Sequence, residues 1–459
     1  MSPSWGERAV VVGGSLAGLL AARVLAERYG EVVLVERDRL DDEGFPVPRK
    51  GVPQGRQVHG LLPRGAVALE RLFPGILDAL ETDGAVRGDL GLDMRWYHFG
   101  GYKRRVRTGL PGVCQTRPLL ERHVRRRCLG LPNLRLRDGC EAAGLVASPD
   151  RSAVTGVELR PRDGGPPEAV RADLVVDAGG RGSRAGGWLE ALGYGRPPET
   201  AVRVDVGYTT RLYRRRPDDF ARLGAQVLIV YPRPPAERRM GVAFPVEGGR
   251  WIVMLAGWLG EAAPAEEAGF LDYARSLPVP DIHDLVRATE PVSGFAIHKF
   301  PASLRRRYEA VARMPAGFLA VGDAVCSFNP VYGQGMTVAA LEAEALAATL
   351  AALEARRRGP EALPRAFFRA AARVIDNPWR LTVGEDFRFP GVTGPCPPGT
   401  RLLNRYAGLL HEAASADERV YRAFLDVMNL TRPPATLFRP GIAWRVLRHR
   451  LAGVRAGRA

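Results

Sequence analysis

The run Ala9-Val-Val-Val-Gly-Gly-Ser-Leu-Ala-Gly18 constrains this chain more than any other segment, because an apolar strand that ends in close-set glycines and continues as a helix fits few folds. Leu19 to Glu27 has helical spacing, and a second apolar run, Val32 to Val35, ends in Glu36 followed by Arg37. Strand, tight turn, helix and strand make a βαβ unit, and a βαβ unit requires a parallel sheet. Gly13, Gly14, Ala17 and Gly18 let the backbone turn and approach a pyrophosphate, the helix N-terminus supplies unpaired N–H groups, and Glu36 is placed to accept from a ribose hydroxyl. Ser15 stands where the dinucleotide pattern has its second glycine, and it is small enough to keep the approach open.

Two further segments extend this reading. Ala172-Asp-Leu-Val-Val-Asp-Ala-Gly-Gly-Arg-Gly-Ser-Arg184 is a strand running into a glycine-rich turn, and Gly322-Asp-Ala-Val-Cys-Ser-Phe-Asn-Pro-Val-Tyr-Gly-Gln-Gly-Met336 leads into a helix predicted over Thr337–Ala355. With the opening unit they resemble, in the same order, the FAD-dependent monooxygenases of the p-hydroxybenzoate hydroxylase fold. The resemblance implies bound FAD. Gly180 then belongs to the middle fingerprint, where an Asp-Gly pair is usual, Asp323 holds the ribityl chain, and Pro330, Gly333, Gly335 and Met336 meet the flavin. A narrower likeness, to the polyene epoxidases of polyether-ionophore biosynthesis, lies in Arg49-Lys-Gly-Val-Pro-Gln54 with His59, in Thr116-Arg-Pro-Leu-Leu-Glu121 and in Phe328-Asn-Pro-Val-Tyr-Gly333. It implies Arg49 and Val52 along the flavin and pyrophosphate, and Arg117 reaching the cofactor. His59 is a candidate proton donor or flavin neighbour, with a structural hydrogen-bonding role as its alternative; Pro330 is the other candidate at the reacting end.

A chain of 459 residues exceeds one core of roughly 250–300, so at least two domains are expected. The fold class is α/β (α+β overall): a Rossmann-like FAD-binding domain in three pieces (1–72, 116–198 and 301–355), an antiparallel-sheet substrate domain in two (73–115 and 199–300), and a helical C-terminal region (356–459). Val202–Tyr208, Val227–Tyr231, Met240–Pro245 and Trp251–Ala256 read as adjacent antiparallel strands, with Glu247-Gly-Gly249 as a hairpin turn.

The net charge of +16 raises nucleic acid as a partner, but all except three of the 66 basic residues (Lys50, Lys103, Lys299) are arginine and no basic run is interleaved with stacking aromatics. Nucleic acid is therefore excluded. Five cysteines without Cys-x-x-Cys spacing suggest neither a disulfide framework nor a metal site. The absence of a leader-like N-terminus and of an apolar run of about 18 residues makes the cytoplasm the expected location. Residues 439–458 hold six arginines and no acid, with Ile442, Val446, Leu447, Leu451 and Val454 near helical spacing. This basic end fits a packed helix with a solvated face and a frayed end first, and weak contact with a membrane surface or an acidic carrier protein second.

By the resemblance, NAD(P)H serves as transient co-substrate and O2 supplies an oxygen atom through a 4a-hydroperoxyflavin. The expected substrate is a lipophilic small molecule of secondary metabolism, a polyketide or terpenoid whose alkene bonds are epoxidised, as in antibiotic biosynthesis. Hydroxylation of an aromatic or polyketide substrate is the alternative, as is double-bond reduction of the geranylgeranyl-reductase kind. The Trp-x-Trp-x-Ile-Pro motif of flavin halogenases is absent.

Overall fold

The structure, a computed structural model, describes residues 5–40 and 46–456. Five strands form a parallel sheet in the order Phe318–Ala320, Leu174–Asp177, Gly6–Val12, Tyr29–Val35, Leu134–Arg137. Their interiors, Ala9, Val10, Val32, Leu34 and Val176 among them, are fully buried, as a covered parallel sheet requires. Helix Leu16–Leu25 packs between Gly335–Ala355 and Arg117–Leu129, and an antiparallel three-stranded layer (Cys140–Ala147, Val154–Pro161, Glu168–Arg171) meets strand Leu174–Asp177. Because Gly6–Val12 sits between Tyr29–Val35 and Leu174–Asp177, three turns far apart in sequence, at Gly13, Ala178 and Val321, all emerge at the carboxyl ends of neighbouring strands. That is where open α/β sheets bind ligands.

The second large sheet has eight strands, in the order Cys326–Ser327, Ala296–Arg306, Glu199–Arg214, Arg250–Gly257, Arg239–Val246, Val227–Val230, Met94–His98, Gly101–Tyr102. The four strands read from sequence are neighbours within it and antiparallel, with the hairpin at 247–249. The first of them is longer than its alternation suggested, because a register shift between Arg203 and Val206, with Asp205 at φ 44°, re-aims the strand and interrupts the period. The segment 73–115 is divided: Met94–Tyr102 joins this sheet, while Pro111–Cys114 pairs with Val86–Asp89 on one side and Gly60–Leu61 on the other in a small separate one.

Helices Leu363–Asp386, Thr400–Ala414, Glu418–Met428 and Pro440–Ala456 complete the chain. Leu410, Phe424, Leu425 and Val446 pack with Met94, Trp96 and Val227 of the large sheet. One expectation is corrected: Gly335–Ala355 is long and apolar enough to cross a membrane. Half of that stretch is buried within the fold, where it packs on Leu16–Leu25 and Leu363–Asp386 as a core helix.

Candidate active site

Gly13 has φ +112°, and a Cβ there would lie 2.4 Å from the Ala178 carbonyl oxygen; a Cβ on Gly18 would fall 1.8 Å from the Gly13 carbonyl oxygen. Neither position tolerates a side chain, so the turn is kept tight. The Gly14 N–H donates 2.9 Å to Glu36 Oε2, and Asp38 N–H donates 3.0 Å to Glu36 Oε1. Ser15, the departure from the glycine pattern, donates 2.9 Å to Glu121 Oε2 and accepts 2.9 Å from Arg117 Nη2. Its hydroxyl ties the turn to helix Arg117–Leu129, a bond glycine cannot make. Arg49 meets Glu36 and Asp38 at 3.1 Å and Glu121 at 2.7 Å, which places it at the ribose-side carboxylates. Burial would raise the Glu121 carboxyl, but Arg117 and Arg49 hold it below the usual range.

At the second turn, Asp177 Oδ1 accepts 2.9 Å from Gly179 N–H and Oδ2 accepts from the Ser183 hydroxyl, while Gly180 takes φ +72°. The pair Gly179-Gly180 therefore keeps an acid in this turn, two residues earlier than the usual Asp-Gly. Arg306 joins the second and third turns, donating 2.9 Å to the Arg181 carbonyl and 3.1 Å to that of Ala324. In the third, Gly322 has φ +64° and a Cβ would stand 2.5 Å from Ala17 Cβ. Its N–H donates 2.7 Å to Glu342 Oε2, a carboxyl that burial pushes up to about 8. Burial also raises the Asp323 carboxyl, against the pull of Arg117, Arg181 and Arg306.

These turns enclose a cleft of about 380 Å³. Ser15, Ala17, Glu36, Arg37, Arg49, Val52, His59, Arg117, Gly180, Asp323, Pro330, Gly333, Gly335 and Met336 all line it, as does Gly13. Gly14 and Gly18 stand behind the surface, shaping the turn. The N-termini of Leu16–Leu25 and Gly335–Ala355 both open onto the cleft, a field that favours negative charge at two points. The His59 ring contacts the Gln57 carbonyl through Nδ1 at 3.0 Å, so Nδ1 carries the proton. Burial, then Arg117, lower its pKa to about 4, and at neutral pH the ring is an acceptor with no spare proton at Nε2. Glycine turns that a Cβ would fill, an acid at the ribose end and two helix N-termini fit FAD.

No family model matches the chain. Protein Rv3254 of Mycobacterium tuberculosis is 33% identical over 446 residues, covering 92% of this chain and 90% of the relative. Kynurenine 3-monooxygenase of Salinispora tropica is 30% identical over 366 residues, covering 72% and 70%. The chain belongs to the FAD-dependent monooxygenases. The fold agrees with that of p-nitrophenol 4-monooxygenase PnpA from Pseudomonas putida, at TM-score 0.64 and 19% identity over 93% of this chain and 99% of the other. FAD is the monooxygenase's cofactor, and NAD(P)H is the co-substrate typical of the family.

Beside the cleft the monooxygenase has a second cavity, of about 90 Å³, between the eight-stranded sheet and the C-terminal helices. Its walls are apolar and aromatic, including Trp96, Tyr231, Trp258, Phe389, Leu410 and Phe424. One stretch of chain serves both spaces: Phe328, Pro330, Gly333 and Gly335 face the cleft, while Val331, Tyr332 and Gln334 face the cavity. That stretch is held from behind by Asn329, which accepts 2.9 Å from the Tyr208 hydroxyl and donates 2.8 Å to Asp386 Oδ1. Asp386 Oδ1 also accepts from Tyr332 and Trp258, at 2.9 and 3.2 Å. Sequence reasoning missed this network because Asp386 closes a helix 57 residues from Asn329 and neither belongs to a motif.

Proposed function

We propose that the enzyme transfers one atom of O2 to an electron-rich unsaturated carbon of a compact, uncharged, apolar substrate seated in the 90 Å³ cavity. The observation carrying this is the shared stretch 328–335, which brings a substrate against Val331 and Tyr332 next to a cofactor against Pro330 and Gly333. Bound FAD, reduced by NAD(P)H, activates O2 and supplies the electrophilic oxygen. The protein positions and shields: the apolar walls exclude water, aromatic faces orient a flat ligand, and the N-terminus of Gly335–Ala355 stabilises negative charge in the cleft. Among the described residues the only charged one on the cavity wall is Glu385, already paired with Arg388 at 2.6 Å. His98 and His411 line it as neutral rings, their pKa values lowered first by burial. An α-amino acid substrate would have no cation to match its carboxylate, so an aromatic ring without ionised groups fits best.

Epoxidation of an alkene in a lipophilic polyketide or terpenoid is the second reading. It needs the same oxygen and the same apolar wall, and the epoxidase-like segments at Arg49–Gln54, Thr116–Glu121 and Phe328–Gly333 support it; the small cavity would admit one end of such a molecule. The test supplies holoenzyme, NAD(P)H and ¹⁸O₂ with p-cresol, styrene and L-kynurenine. Labelled ring hydroxylation of p-cresol supports the first reading and labelled styrene oxide the second. Labelled product from kynurenine alone would overturn the uncharged-substrate reading. Saturation of styrene without label, or NAD(P)H consumption that no probe stimulates, would overturn both.

A further inference from the structure

Six of the eleven exposed large apolar side chains among the described residues fall in the last sixty positions of the chain: Leu402, Leu403, Phe438, Trp444, Leu447 and Leu451. They lie on two helices in contact and the turn leading into the second, whereas single exposed apolar residues elsewhere are ordinary. On helix Pro440–Ala456, Trp444, Leu447 and Leu451 are spaced by three and four and are 60%, 49% and 50% exposed, while Val446 on the other side is 2% exposed and seated in the fold. Helix Thr400–Ala414 packs beside it, and Tyr406 stacks on Phe438 at 4.9 Å. The helix is thus packed on one face, and its outer face carries apolar as well as basic side chains. Val454 lies outside the side chains described.

The charge on helix Pro440–Ala456 has one sign. Arg401, Arg405, Arg439, Arg448 and Arg450 are exposed, and helix Pro440–Ala456 carries no acid. Of the arginines on these two helices, only Arg445 forms an ion pair among the described residues, with Asp417 at 2.8 Å. A tryptophan and leucines flanked by long arginine side chains match the boundary between lipid headgroups and acyl chains, where the arginines reach phosphates while their stems lie along apolar surface. An acidic protein would answer the charge but leave the Trp444–Leu447–Leu451 stripe unexplained. Helix Thr400–Ala414 and the turn Pro434–Phe438 also bear part of the wall of the 90 Å³ cavity, through Ala407, Leu410, His411 and Leu437.

We propose that this face docks the enzyme on the surface of an anionic phospholipid bilayer, with Trp444, Leu447 and Leu451 entering the boundary region and the arginines pairing with headgroup phosphates. The proposal stands independently of which carbon is oxygenated. It is tested by flotation of the FAD-loaded enzyme with vesicles of phosphatidylcholine alone, or of phosphatidylcholine and phosphatidylglycerol in equal parts, at low and high salt. Expected is binding to the anionic vesicles, weakened by salt, and little to phosphatidylcholine. The triple variant Trp444→Ala/Leu447→Ala/Leu451→Ala should bind on the order of tenfold more weakly with its flavin spectrum unchanged. Equal binding by variant and wild type, or no flotation with either vesicle, would overturn the proposal. So would a dimer in light scattering that the triple variant splits, which would assign the face to a second copy, or capture by an acidic carrier protein without vesicle binding.

Discussion

Asp386 is fully buried, and its Oδ2 has no hydrogen-bond partner while Oδ1 accepts from Asn329, Tyr332 and Trp258. Burial pushes its carboxyl from 3.8 up to about 6, the three donors acting the other way. A carboxyl raised on folding favours the folded state while it is protonated in both states, below about pH 4, and that advantage is lost as pH climbs through 6. At neutral pH the ionised form costs roughly 3 kcal/mol relative to an unshifted acid. Asp386→Asn keeps the acceptor and carries no charge. It should therefore raise Tm at pH 8 by several degrees and leave it nearly unchanged only at about pH 3.5, below the unfolded pKa. Equal Tm differences at both pH values would show that Asp386 does not titrate on folding. Against this cost stands its hold on Asn329 and Tyr332, on either side of the Pro330 turn, which it ties to helix Leu363–Asp386.

At the scale of elements, the three glycine turns act as one cradle because their strands are neighbours. Gly322 illustrates the demand: its left-handed backbone costs an alanine about 1–2 kcal/mol, and the new Cβ would clash with Ala17 Cβ at 2.5 Å, adding about 1–3 kcal/mol. Gly322→Ala should lose most of its bound FAD and several degrees of Tm. Adding Ala17→Gly relieves the clash but not the backbone strain, so it should restore FAD content only in part. A Gly322→Ala protein purified with full flavin and unchanged Tm would refute this account of the turn. Such turns were legible in sequence because steric demand permits few residues, and all the cofactor-side positions named from motifs line or shape one cleft. The ion-pair partners of Arg49 were not legible: a guanidinium goes to whichever carboxylates the fold brings near, and Asp38 and Glu121 lie on separate segments. Nor was the strand Ala296–Arg306, whose charged and apolar residues do not alternate cleanly. The substrate cavity was the least legible, since its aromatic side chains are of the same kind as those of the core.

Across the whole molecule, one continuous core joins strands of the parallel sheet (Val10, Val33, Val176) to the eight-stranded sheet (Val202, Tyr208, Phe300) and to helix Leu363–Asp386 (Phe367, Ile375, Val383). The cleft likewise draws on three distant chain segments, around Gly13, Gly180 and Asp323. A ligand in it restrains all of them together, and a shared core passes that restraint to the substrate side. FAD should therefore stabilise the protein as a unit, by about 2.7 kcal/mol at a free concentration one hundred times its dissociation constant. Removing FAD should lower Tm by several degrees, and adding it back should restore the whole shift. In the holoenzyme, flavin release followed by its own fluorescence and unfolding followed by tryptophan fluorescence should coincide in one transition, since Trp258 and Trp379 belong to the same core and Trp188 lines the cleft. Two separate transitions, with only the first sensitive to FAD, would mean that the sheets and C-terminal helices unfold apart from the cofactor cradle. In that case the stretch 328–335 could not hold substrate and flavin in fixed register, and the geometric basis of the proposed oxygen transfer would fail with it.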